Sequence, residues 1–205
     1  MTIEVKNSVK PVDYIESMKL LENRVSDVFL GKENELLWLI EHKSVFTAGT
    51  SSDDNDLLDK SVDVIKTSRG GKHTFHGPGQ KVVYFVLNLN KREKDIRKLI
   101  NKIENCIIEV LKEYGIKSYT DKKNIGIWVT NQKSAMKIAA IGIRVKKWIA
   151  YHGFAINVSN DLSKYKSIVP CGIKDKGITN LESMGIKNYN NIDKVIIKKF
   201  LEIFR

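Results

Sequence analysis

An α+β domain, its mixed and largely antiparallel sheet flanked by helices, is the fold class this sequence predicts. Three observations predict it. Apolar residues recur at three- and four-residue spacing in three segments; β-branched and aromatic runs of strand length fill the intervals; and those runs cluster between the helices instead of alternating with them one by one. The 205 residues, 42% of them hydrophobic, suffice for one sizeable core and fit a single domain, residues 1–205, better than two. No internal repeat, low-complexity tract or Pro/Gly/Ser linker divides the chain.

In chain order, residues 13–30 place Ile15, Met18, Leu21, Val25 and Val28 on one helical face. ELLWLIEH (35–42) has strand length, and the polar SSDDND that follows Gly49 and Thr50 predicts a loop. VDVIKT (62–67) and KVVYFVLNL (81–89) are β-branched and aromatic, hence strands, and they bracket a Gly-rich segment. From Ile96 to Tyr114, the residues Ile96, Leu99, Ile100, Ile103, Ile107, Val110 and Leu111 keep helical period. IGIWVT, KIAAIGIRV and WIAYHGFAINV, spanning 125–158, predict consecutive strands of a meander. A last amphipathic helix is expected from about Asn191 to Phe204.

The composition excludes several classes. No run of about 18 apolar residues exists, so no membrane span is expected, and the first residues lack the apolar stretch of a secretory signal. Two cysteines make no disulfide framework, and a reducing cytoplasm is the expected location. Charged residues make up 29%, and the net charge is +11. The basic residues are mostly lysines, scattered singly or in pairs such as Lys146-Lys147, with no Arg-rich stripe of a nucleic-acid binder. That excess either keeps the protein soluble or steers it toward acidic protein partners.

Chemistry concentrates in three places. Cys106 falls on the apolar face of the Ile96–Tyr114 helix, where a thiol behaves as a small inert hydrophobe. Cys171 stands instead in IVPCGI, between Pro170 and Gly172, outside any periodic segment. Pro fixes the backbone before it and Gly admits close approach of another molecule. A thiol nucleophile needs a base or a charged neighbour, because a free Cys titrates near about 8.5. His42, His73, His76 and His152 are candidates, and so is Lys137, which opens KIAAIGIRV. Strand alternation puts Lys137 on one face with Ala139, Ile141 and Ile143. Two readings of that lysine fit: its charge is matched by a thiolate, or it marks the strand end and reaches to water. The third place is RGGKHTFHGPGQ (69–80). It has neither the P-loop nor the GxGxxG pattern, and it predicts a loop passing close to a ligand, with Arg69, Thr74 and His76 offering polar contacts.

RGGKHTFHGPGQ closely resembles the signature of the octanoyltransferase family: Arg-Gly-Gly, two variable positions, Thr, one variable, then His-Gly-Pro-Gly-Gln. KIAAIGIRVKKWIAYHGFAINV, and IVPCGI followed by GITNL, look like that family's remaining blocks in order and spacing, and LLWLIEHKSVFTAGTSS resembles its early strand and loop. The likeness runs from about residue 13 to 185. It departs at EHKS, where the family has two prolines after the His, and at Ala135-Met136, where a Gly is common.

The resemblance implies a fold shared with lipoate and biotin protein ligases. It implies that Cys171 takes an octanoyl group as a thioester, and that Lys137 depresses the Cys171 pKa and acts as general acid and base. Arg69, Gly70, Gly71, Lys72, His73, Thr74, Phe75 and His76 would line the acyl pocket with Ala140, Ile141, Gly142, Gly153, Phe154 and Ala155. The implied donor is octanoyl-acyl carrier protein, and the implied acceptors are lipoyl domains of 2-oxoacid dehydrogenase complexes and related enzymes. No metal and no cofactor are expected, because the donor thioester is already activated. Two rivals are an ATP-dependent lipoate- or biotin-type ligase, which needs no Cys nucleophile, and a non-catalytic basic module that binds RNA or an acidic protein.

Overall fold

The computed structural model describes residues 2–131, 134–169 and 176–205. Its main sheet runs in the order β1 (Ile3–Asn7), β2 (Glu35–Ile40), β6 (Gln80–Asn88), β10 (Ile149–Asn157), β9 (Ser134–Lys146), β8 (Ile127–Asn131) and β7 (Ser118–Thr120), with β11 (Gly177–Ile178) added alongside β9. The β1–β2 and β9–β11 pairs are parallel and the others antiparallel. A small second sheet holds β3 (Val45–Ala48) between β4 (Val64–Lys66) and β5 (His73–His76).

Helix α1 (Tyr14–Phe29) covers one face of the main sheet, and α2 (Ile96–Lys112) and α3 (Ile192–Phe204) cover the other. Side-chain alternation along the strands feeds both layers. Leu37, Leu39, Val83 and Phe85 pack toward α2 and α3, while Leu36, Trp38, Val82 and Tyr84 pack toward α1. This is why ELLWLI reads as an unbroken apolar run: β2 is covered on both sides and all six of its residues are buried. Asp13 caps α1, its Oδ1 accepting from the amides of Ile15 at 2.9 Å and Glu16 at 3.2 Å. Glu35 and Arg92, both largely buried, form an ion pair that ties the start of β2 to the turn after β6.

The structure departs from the sequence expectations in local detail. Ile15 is 51% exposed, because the buried stripe of α1 begins at Tyr14 and Ser17, one register earlier. Ile96, at the open first turn of α2, is also exposed. The Gly-rich segment is not all loop, since His73–His76 pairs with β3. Among the described residues no helix is long and apolar enough to cross a membrane.

Candidate active site

The Gly-rich segment is held against the main sheet by its own arginine. Arg69, 8% exposed, donates from Nη2 to the carbonyl of Thr47 (3.0 Å), the Thr47 hydroxyl (2.7 Å) and the carbonyl of Lys72 (2.9 Å). The guanidinium therefore organises the loop from within. Gly70 then donates its amide to the carbonyl of Ile143 on β9, 3.3 Å away. Lys72 pairs with the nearly buried Asp56 at 3.0 Å.

Beneath this segment lies a cavity of about 420 Å³. Arg69, Gly70, Gly71, Lys72, His73, Thr74 and His76 line one side of it, and Ala140, Ile141, Gly142, Gly153, Phe154 and Ala155 line another. Phe75 does not. Alternation along β5 turns it into a separate cluster with Tyr165 and Ile168. Tyr14, Val82, Tyr84 and Ile125, to which no site role is assigned from sequence, also line the cavity. Tyr14 could have been suspected as an aromatic in the first turn of α1; nothing local marks the others.

Lys137 also lines the cavity and is 3% exposed. It does not share a face with Ala139, Ile141 and Ile143. The pairing of β8 with β9 slips at this point, from Trp128↔Lys137 to Ile127↔Ala139, leaving Ile138 as an extra residue. Ile138 and Ala139 both pack toward α2 and α3, so the bulge re-aims Lys137 to the opposite face. There its Nζ donates to the carbonyl of Ile125 at 2.9 Å and lies 4.9 Å from the centroid of the Trp128 ring. No carboxylate pairs with it among the described residues. Among the described residues, a carbonyl dipole and an aromatic face are what compensate the buried amine. Gly126 makes room for it: its φ is +133°, and a Cβ there would lie 2.9 Å from Lys137 Cε.

Cys171 lies outside the described residues, as do Pro170 and 172–175. The chain on either side is described. Val169 donates its amide to Asp56 at 2.7 Å, and after Lys176 the strand β11 pairs Gly177 with Met136 and Ile178 with Lys137. Cys106 is fully buried in α2, where burial pushes its thiol up to about 12.

The histidines fall into a buried polar network. His76 Nδ1 donates to Gln80 Oε1 at 2.6 Å, Gln80 Nε2 donates to Asn157 Oδ1 at 2.9 Å, and Asn157 Nδ2 donates to the carbonyl of Thr179 at 3.0 Å. The HxxxQ spacing at the end of the Gly-rich segment thus connects it to the chain just beyond β11. Burial, helped by His42 and Arg69, lowers His76 to about 3, so its imidazole is neutral. His42 donates from Nδ1 to Val12 (3.0 Å) and accepts the Tyr84 hydroxyl at Nε2 (2.7 Å). Burial lowers His42 and raises Tyr84 well above its ordinary value. Among the described residues no group of three or more His, Cys, Asp or Glu could hold a metal ion.

The mixed sheet thus carries a half-open, mostly apolar cavity with one buried amine on its wall, a shape and chemistry suited to an acyl chain. The chain matches the lipoyl protein ligase A/B catalytic domain over residues 13–203 and belongs to that family. It is 46% identical over 205 residues to the octanoyltransferase of Ehrlichia chaffeensis, covering 98% of this chain and 96% of that one. With the octanoyltransferase of Anaplasma phagocytophilum it shares 44% identity across the whole of both chains. Among solved structures it resembles a bipartite lipoate protein ligase of Thermoplasma acidophilum, with a TM-score of 0.73 at 13% identity, covering 98% of this chain and 84% of that one. It also resembles lipoate-protein ligase A bound with ATP, with a TM-score of 0.72 at 14% identity, covering 98% and 85%. At these identities the two structures establish the fold alone.

Proposed function

We propose that this protein is a cytoplasmic octanoyltransferase of lipoate assembly, a single catalytic domain that moves an octanoyl group from octanoyl-acyl carrier protein to a lysine of a lipoyl domain through a thioester on Cys171. One observation carries this reading: the Gly-rich segment and strands β9 and β10, far from it in sequence, line the same apolar-walled cavity, with the Lys137 amine on its wall. The near full-length identity to octanoyltransferases supports it. So does the pairing of β11, close after Cys171 in the chain, with the residues around Lys137.

The chemistry balances without a cofactor. The Cys171 thiolate attacks the carbonyl carbon of the donor thioester, a new C–S bond forms, the old one breaks, and the departing thiolate takes a proton from the Lys137 ammonium. That exchange is nearly isoenergetic. In the second half the neutral amine of the acceptor lysine attacks the thioester carbonyl, a C–N bond forms, the acyl C–S bond breaks to release the Cys171 thiolate, and Lys137 takes the proton lost by the attacking nitrogen. Thioester becomes amide, so this half runs downhill. Two covalent half-reactions predict ping-pong kinetics.

Intact-mass measurement after incubation with octanoyl-carrier protein and no ATP tests the reading. The expected result is one octanoyl adduct, abolished by Cys171→Ser and retained by Cys106→Ser. An adduct surviving Cys171→Ser, or acyl transfer that requires ATP, overturns it; the latter outcome makes the chain a ligase.

A further inference from the structure

Both groups that hold the Lys137 amine, the Ile125 carbonyl and the Trp128 ring, come from the turn that follows β7 and from the start of β8. Asp121 shapes that turn. Its Oδ1 accepts the Lys123 amide at 2.9 Å, and its Oδ2 accepts Asn124 Nδ2 at 2.8 Å. The Asn124 carbonyl in turn accepts the indole N–H of the buried Trp128 at 2.9 Å. Carboxylate, turn and ring therefore form one hydrogen-bonded unit around the amine.

Lys176 closes on this unit from a distant part of the chain. Its Nζ lies 2.5 Å from Asp121 Oδ2 and 4.6 Å from the centroid of the Trp128 ring, the same ring that Lys137 Nζ approaches to 4.9 Å. The side chains of Lys176 and Asp121 are only 22% and 21% exposed. Hydrogen bonds from Asn124 and Lys176 hold the Asp121 carboxyl well below the usual carboxylate range, so the pair is ionic.

Lys176 stands five residues after Cys171 and directly before β11. That strand is two residues long and pairs with β9, and the Thr179 amide then donates to the Lys137 carbonyl at 3.0 Å. So short a strand fixes the chain along β9 but resists little a swing across it. The Asp121–Lys176 pair supplies a second attachment, on the β7–β8 side of the sheet.

We propose that Asp121 and Lys176 are positioning residues: their ion pair clips the chain that follows Cys171 to the turn that holds the Lys137 amine, and so sets the spacing of thiolate and amine. The inference rests on the proposed acyl transfer through Cys171. Attraction between thiolate and ammonium weakens with separation, and proton exchange between them requires hydrogen-bond reach. A misplacement of about 1 Å can cost on the order of a hundredfold in rate. A partly exposed ion pair adds little to stability, so its loss should appear in turnover and not in melting.

The test uses a small octanoyl thioester as donor, so that docking of a carrier protein does not enter. Lys176→Met keeps the side-chain length and removes the charge. It should lower kcat about tenfold with KM changed less than about twofold. Alkylation of Cys171 by iodoacetamide at pH 7, followed by intact mass, should slow by a similar factor, and the melting temperature should stay within about 2 °C. Lys176→Arg, which keeps the ion pair, should restore most of both rates. Asp121→Asn should match Lys176→Met, and the double variant should fall no further than either single one, because all three remove one interaction. Unchanged kcat and alkylation in Lys176→Met overturn the proposal, as do an arginine variant as impaired as the methionine one and losses that multiply in the double variant. A fall in kcat that follows a fall in melting temperature makes the pair merely structural and overturns it too. A wild type that forms no acyl-enzyme, or that retains transfer after Cys171→Ser, overturns the transferase reading, and the clip with it.

Discussion

At the scale of single residues, Gly153 sets how closely two central strands approach. A Cβ at this position would lie 1.9 Å from the carbonyl oxygen of Val83 on the paired strand β6. That neighbour is backbone, held on both sides, and cannot yield without parting the sheet. Gly153→Ala is expected to cost about 2–4 kcal/mol, read as a lowered urea midpoint, and to narrow the cavity it lines. Gly126→Ala is expected to act differently, because the clash falls on Lys137 Cε at 2.9 Å and on the Ala139 carbonyl at 2.8 Å. Acyl transfer should fall at least tenfold in that variant, checked beside its melting temperature to separate displacement of the amine from unfolding. Legibility at this scale is uneven. Lys137 stands out in the sequence as a charge opening an apolar strand, and Cys106 as a thiol on an apolar helical stripe. The left-handed backbone of His152 is invisible there, because a positive φ at a residue that is neither Gly nor Asn leaves no mark on composition.

Among the elements, the three helices and the long strands follow from periodicity, and their capping can be tested. The Asp13 side chain satisfies two amide groups at the start of α1, so Asp13→Ala should cost about 1 kcal/mol and lower the melting temperature by roughly 2–4 °C. What periodicity missed are the short strands. β5 is four residues, HTFH, with polar groups at three of them, and β3 is VFTA; neither is long enough to show alternation. They become strands only by pairing with each other and with β4 in a sheet brought together by the tertiary fold. The bulge in β9 was equally hidden. Alternation places Lys137 beside Ala139, and the extra residue Ile138 reverses that assignment only because β8 enforces its own register.

For the whole molecule, acid should be the vulnerable side. Burial lowers His42, His76 and His152 below their ordinary 6.5, with His76 near 3 and His152 near 4. The unfolded chain therefore binds protons that the folded one refuses, so the stability they contribute is complete above about pH 6.5 and is lost as pH falls toward 4 and then 3. The expected slope is roughly 1 kcal/mol per pH unit for each histidine. Melting temperature followed from pH 7 to pH 4 should fall less steeply in His76→Gln than in wild type; equal slopes would remove the histidine account. The net charge of +11 makes a second prediction at this scale. Transfer from an acidic carrier protein should weaken as salt rises, whereas transfer from a small octanoyl thioester changes little, because screening acts on long-range steering. Equal salt sensitivity for both donors would assign the charge to solubility alone.

The sequence by itself determined the fold class, the three helices, the long strands, the inert character of Cys106, and the three blocks that carry the resemblance to octanoyltransferases. Period and motif are properties of neighbouring residues, and neighbours are what a sequence displays. The tertiary structure alone decided that the first two of these blocks share one cavity, that Lys137 faces it across a bulge, that Phe75 does not, and that His152 turns into it. Each of those depends on register between strands far apart in the chain, or on one backbone angle fixed by packing from both sides. A one-residue shift in either moves a side chain to the other face of the sheet.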